Sequence, residues 1–105
     1  MDNKKVYSLL GFAAKAGRLS SGGFAAEKSV KTGKALLVVI AEDASENTRK
    51  RFSNMCSWYE VPCITTGTRE ELGHATGTEF RAVLAVQDEN LADAVIKEYN
   101  RSKGL

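Results

Sequence analysis

Leu36-Leu37-Val38-Val39-Ile40-Ala41 and Ala82-Val83-Leu84-Ala85-Val86 are unbroken apolar runs of strand length, rich in β-branched residues. Neither shows the polar alternation of a sheet with one wet face, so each reads as a strand covered on both sides. Such strands need a helical layer above and below, and the chain between the runs supplies helices. The spacing of Val6, Leu9, Leu10 and Ala13 predicts a helix over Lys4 to Ala16 with one buried stripe, ended by Gly17 in a left-handed cap. Arg18 to Ser21 reads as a brief strand. A second helix follows from Gly22 to Lys31 or Thr32, capped by Ser21 and stopped by Gly33.

Asp43-Ala44-Ser45-Glu46 reads as a capping box opening a third helix, with Thr48, Phe52, Met55 and Tyr59 on one side. Val61 to Thr66 is the next strand. Thr68-Arg69-Glu70-Glu71 is a second capping box, opening a short helix that ends at Gly77. Asp88 caps a last helix whose Leu91, Ala92, Val95, Ile96 and Tyr99 face inward. Helices and strands thus alternate along the whole chain, which predicts an α/β fold with a mostly parallel sheet between helical layers. With 105 residues and no linker or repeat, residues 1–105 make a single domain.

No apolar run approaches the ~20 residues that span a bilayer. The start, Met1 to Val6, lacks the apolar stretch of a signal peptide. The two cysteines, Cys56 and Cys63, read as buried, reduced core thiols. A cytoplasmic protein with no membrane partner is expected. Charge is uneven: residues 1–51 hold ten Lys/Arg and five Asp/Glu, whereas residues 52–105 hold five and eight. A basic half beside an acidic half points one face at a polyanion.

Catalytic chemistry finds little to work with. His74 is the only histidine and has no nucleophile at a motif spacing, and no Cys/His/carboxylate set has zinc-ligand spacing, so no cofactor or metal is expected. Glu42-Asp43 ends a strand, but capping accounts for Asp43. The turn from Gly17 to Gly23 matches no nucleotide-binding fingerprint, yet it leads into a helix N-terminus, which offers free N–H groups to an anion.

The helix after that turn is more informative. At 100° per residue, Gly22, Ala26, Val30 and Gly33 share a small apolar face, and Phe24, Lys28 and Lys31 share the opposite one, with Glu27 beside them. An outward aromatic among cations suits base stacking combined with phosphate contact. The alternative is that Phe24 folds back as a plug on the preceding loop. Arg49-Lys50-Arg51 adds three cations, which point different ways on a helix.

The order of elements, the segment Gly33 to Asp43, Val61-Pro62, and Glu71-Leu72-Gly73-His74-Ala75-Thr76-Gly77 together resemble the kink-turn RNA-binding ribosomal protein superfamily, the L-seven-Ae/L-thirty-e group. The resemblance is strongest to its short bacterial YlxQ-like branch and runs from Val6 to Tyr99. It implies a three-layer α/β/α sandwich around a mixed four-stranded sheet. It also implies non-catalytic binding of structured RNA, ribosomal or kink-turn-like, by a ribosomal or ribosome-associated protein, with no DNA partner. The family signature Gly-x-Asn-Glu-x-x-Lys falls on Gly22 to Lys28, with Phe24 and Ala25 where Asn and Glu would read sheared G·A pairs. By this resemblance the RNA-binding residues are Gly22, Gly23, Phe24, Lys28 and Lys31, with Glu79, Phe80 and Arg81 on a second loop. Two rivals stay open: a protein–protein module that has lost kink-turn specificity, and a small nucleotide-binding enzyme using Glu42 and the glycine turn.

Overall fold

A computed structural model describes residues 3–104. The N-terminal reading and the 1–105 domain also cover Met1, Asp2 and Leu105, which lie outside those residues. The elements are α1 (Lys4–Lys15), β1 (Leu19–Ser21), α2 (Gly23–Lys31), β2 (Leu37–Ile40), α3 (Glu46–Tyr59), β3 (Cys63–Thr65), α4 (Arg69–Ala75), β4 (Val83–Val86) and α5 (Glu89–Ser102).

The four strands form one sheet in the order β1-β4-β2-β3. All four residues of β2 and of β4 are buried, as expected for strands with helices on both faces. On one side α1 packs with α4 and α5, and on the other α2 packs with α3. Leu10, Phe52, Leu72 and Val95 bring the helical layers onto the strands.

The sheet is mixed, as the resemblance implies, and not mostly parallel as the alternation of elements suggests. Only β2 and β3 run together, while β4 lies antiparallel to both β1 and β2, with Val39 opposite Leu84. Alternation counts elements and cannot show which way a strand enters the sheet. Here the seven-residue α4 is only about 10 Å long. Residues 76–82 then run back along it, held by the Thr78 N–H to Gly73 O (2.8 Å) and Arg81 N–H to Arg69 O (3.0 Å) bonds. The chain therefore re-enters the sheet at the end where β2 and β3 left it.

Two caps also differ from the reading. The N-cap of α2 is Gly22, and the Ser21 side chain makes no cap bond. Ser45, not Asp43, caps α3, its Oγ accepting from Thr48 N–H at 3.1 Å. Asp43 instead crosses to α4, where its Oδ1 accepts from Arg69 N–H at 2.8 Å and its Oδ2 lies 3.5 Å from Arg69 Nε. The Thr68–Glu71 capping box and the Asp88 cap form as the spacing predicts. On α3, Cys56 joins Phe52 in the core, whereas Tyr59 is exposed.

Cys63 is a further correction: it lies exposed on the edge strand β3, and only Cys56 is a core thiol. The Cys56 thiol hydrogen-bonds the Cys63 sulfur, which raises its own pKa, as burial also does, and lowers that of Cys63.

Candidate nucleic-acid interface

Strand directions gather the candidate residues. The C-terminal ends of β1, β2 and β3 and the start of β4 share one end of the sheet. There α2, α3 and α4 begin, so three positive helix ends lie at that end of the sheet.

The start of α2 is fixed by Gly22, whose φ of 91° and ψ of 161° suit a residue without Cβ. Its N–H donates to Val83 O at 2.9 Å and extends the β1–β4 ladder by one residue. That bond corrects the expectation that Gly22 offers a phosphate donor. The first helical bond is Ala26 N–H to Gly22 O, at 2.9 Å. The N–H groups of Gly23, Phe24 and Ala25 are therefore the open ones, without a protein acceptor among the described residues.

Phe24 is 88% exposed, which excludes the plug. The wheel holds for the rest of the helix: Ala26 and Val30 are buried, and Lys28 and Lys31 face solvent. The two lysines are not equivalent. Lys31 Nζ lies 2.8 Å from Glu27 Oε2, and the other oxygen of Glu27 takes the Arg51 guanidinium from α3. The hydrogen bond from Lys31, with the positive charge of Arg51, holds the Glu27 carboxyl below the usual range, and Glu27 in turn raises Lys31. Lys28 has no ion pair among the described residues. It is the uncompensated cation of this face.

The second segment is set by Gly73. A Cβ there would lie 2.3 Å from Glu79 O and 2.7 Å from Phe80 N, so the loop rests directly on the helix backbone. Glu79 and Phe80 are exposed, Phe80 at 59%. Arg81 is half-buried; its Nη1 donates to Phe80 O at 2.8 Å, bracing its own loop, and it has no ion pair among the described residues. Through the Gly22–Val83 bond the two segments sit side by side at one sheet end.

The enzyme candidates do not assemble. Asp43 is engaged with α4, and exposed His74 shares a shallow groove with Tyr7, Glu70 and Glu71. Among the described residues no set of His, Cys, Asp and Glu could hold a metal, and no helix is long and apolar enough to cross a membrane. Sequence reasoning missed the partners that reach this surface from elsewhere in the chain: Arg51 onto Glu27, the Val83 carbonyl onto Gly22, and Gln87 onto Ser20 and Ser29. No local pattern marks contacts separated by so many residues.

Residues 4–96 match the model of the ribosomal protein L7Ae/L30e/S12e/Gadd45 family. The RNA-binding protein YlxQ of Bacillus subtilis is 36% identical over 96 residues, covering 91% of this chain and 96% of that one. YlxQ of Enterococcus faecium is 34% identical, covering 87% of each. Among solved structures, a Bacillus halodurans protein described as of unknown function superposes with a TM-score of 0.88 at 33% identity, covering 91% of this chain and 97% of that one. A Giardia lamblia 15.5kD RNA binding protein superposes with a TM-score of 0.81 at 24% identity, covering 97% and 88%, and so shares the fold.

Proposed function

We propose that this chain, which belongs to the ribosomal protein L7Ae/L30e/S12e/Gadd45 family, binds structured RNA in the cytoplasm and catalyses no reaction. Ribosomal RNA and kink-turn-like elements are the candidate targets. The observation that carries the reading is the first turn of α2, where an 88% exposed phenylalanine stands beside three open N–H groups and one turn from a lysine with no ion pair among the described residues. Phosphate is held by the N–H groups of Gly23, Phe24 and Ala25 and by Lys28. Phe24 and Phe80 supply faces on which bases stack.

Two apolar side chains, Phe24 and Ala25, stand where Asn and Glu would read sheared G·A pairs. Losing a good base-edge contact removes ~1–3 kcal/mol of discrimination, whereas stacking returns affinity of ~1–3 kcal/mol per base without sequence preference. The protein is therefore expected to prefer an intact kink-turn over one with mutated G·A pairs by no more than about tenfold. Paired titrations of both RNAs at one salt concentration test this. A preference of about a hundredfold, equal to ~2.7 kcal/mol, would show that other residues read the pairs.

The rival protein-docking reading draws on Trp58, 82% exposed on α3. Affinity for RNA that falls steeply with salt favours the nucleic-acid reading, and its absence favours the rival.

A further inference from the structure

Between α2 and the edge strand β1 lies a second hollow, lined by Ser20, Lys28, Ser29, Thr32, Lys34 and Gln87. Among the described residues no carboxylate lines it. Gln87 Nε2 donates to Ser20 Oγ and to Ser29 Oγ, both at 2.7 Å. One amide and two hydroxyls carry four polar hydrogens among them, and the two internal bonds use two. The count is the same if the amide is turned over, since both hydroxyls would then donate to its oxygen and leave its two N–H groups open.

Two donors are thus left over, and among the described residues no protein acceptor meets them. Ser29 is only 3% exposed, whereas Ser20 and Gln87 are half-buried, so the Ser29 end of the trio is the one shielded from bulk water. Each of the three side chains has a partner in the trio, so what remains is donor capacity for one further acceptor. Thr32 does not supply it, because its hydroxyl turns back to Lys28 O at 2.8 Å. The ammonium groups of Lys28 and Lys34 have no ion pair among the described residues. Surplus donors, two cations and no acid suit an oxyanion with several acceptor atoms, and they repel a metal ion.

Lys28 and Thr32 also line a neighbouring hollow with Phe24, Glu27 and Lys31, so the two hollows share a wall on α2. We propose that the Ser20–Ser29–Gln87 trio, with Lys28 and Lys34, is a phosphate subsite that takes one phosphodiester of an RNA strand running from Phe24 to the β1 edge. The choice of RNA as occupant rests on the function proposed above. A free phosphate or a mononucleotide shares the chemistry, and the test separates them.

The side-chain amide signals of Gln87 in a nitrogen-15 spectrum report on the subsite directly, during titration with inorganic phosphate, a nucleoside 5′-monophosphate and an RNA. In parallel, RNA affinity is measured at several salt concentrations for wild type, Lys34→Gln, Ser20→Ala and Lys28→Ala. We expect RNA to move the Gln87 signals, and Lys34→Gln to weaken all RNAs by roughly three- to tenfold while lowering the log–log salt slope by about 0.7–0.9. Ser20→Ala keeps the slope and weakens binding less. If Lys34→Gln matches wild type in affinity and slope while Lys28→Ala is weakened, the subsite is refuted and the RNA reading stands. If wild type binds no RNA, that reading falls. A Gln87 response to phosphate or the monophosphate then assigns the subsite to a small phosphate compound, and silence to all three titrants overturns it.

Discussion

Gly73 makes the packing of the site-bearing loop directly testable. Alanine there places a Cβ 2.3 Å from Glu79 O, 2.4 Å from Glu79 C and 2.7 Å from Phe80 N. All three are backbone atoms, so no rotamer change relieves the overlap, and the loop or the helix must move. Overpacking of this kind costs about 1–3 kcal/mol, and three overlaps at once point to the upper end. Against it stands the better helix propensity of alanine, about 1 kcal/mol in a helix interior. The net loss is then about 2 kcal/mol. At about 4–8 °C per kcal/mol for a domain of this size, the melting temperature falls by roughly 10 °C. Gly23→Ala is the control: its nearest neighbour would be Phe52 Cε2 at 4.0 Å, so its melting temperature should hold or rise slightly. Circular-dichroism melts of both variants decide the matter. A Gly73→Ala protein as stable as wild type would mean that the loop does not rest on α4, and the placement of Phe80 would fail with it.

Lys28→Ala should weaken binding about equally for all RNAs and lower the salt slope by about one counterion's worth, read by filter binding; an unchanged slope would remove Lys28 from the interface. Because Lys31 and Arg51 hold the Glu27 carboxyl low, its bracing of α2 on α3 is fully present at neutral pH. It persists where an ordinary glutamate protonates and is lost only as pH falls further, through the folded-state value. A carboxyl carbon titration placing Glu27 at or above the ordinary glutamate value would contradict this. In the native protein, an alkylating reagent should modify Cys63, exposed and shifted toward thiolate, before buried Cys56, as peptide mass mapping can show. Equal rates would place both thiols in solvent.

Features governed by local physics were legible in the sequence. Within the two apolar runs, Leu37–Ile40 and Val83–Val86 became buried strands, though Leu36 at the head of the first run is exposed, and Thr68 with Glu71 closed the capping box that the spacing predicts. Phe24 and Lys28 fell on the outer face that a helical wheel assigns them. Failures came where a distant partner decided the outcome. Asp43 has capping chemistry but found the N–H of Arg69 instead of its own helix. The direction of β4 depended on a loop running back over Gly73, which no periodicity encodes. Gly22 was placed correctly but misjudged as a donor, because Val83 O lies across the sheet from it.

The proposed site is held in shape by main-chain atoms: the Gly22 N–H on Val83 O, and residues 79 and 80 lying against Gly73. The side chains of Phe24 and Phe80 contribute nothing to the core. Folding therefore leaves the identity of these exposed positions almost unconstrained, while it holds their coordinates fixed. A lineage carrying this frame can exchange one recognition residue at a time without passing through an unfolded intermediate. Its specificity is free to drift between targets far faster than its architecture, with only the glycines at 22 and 73 unable to follow.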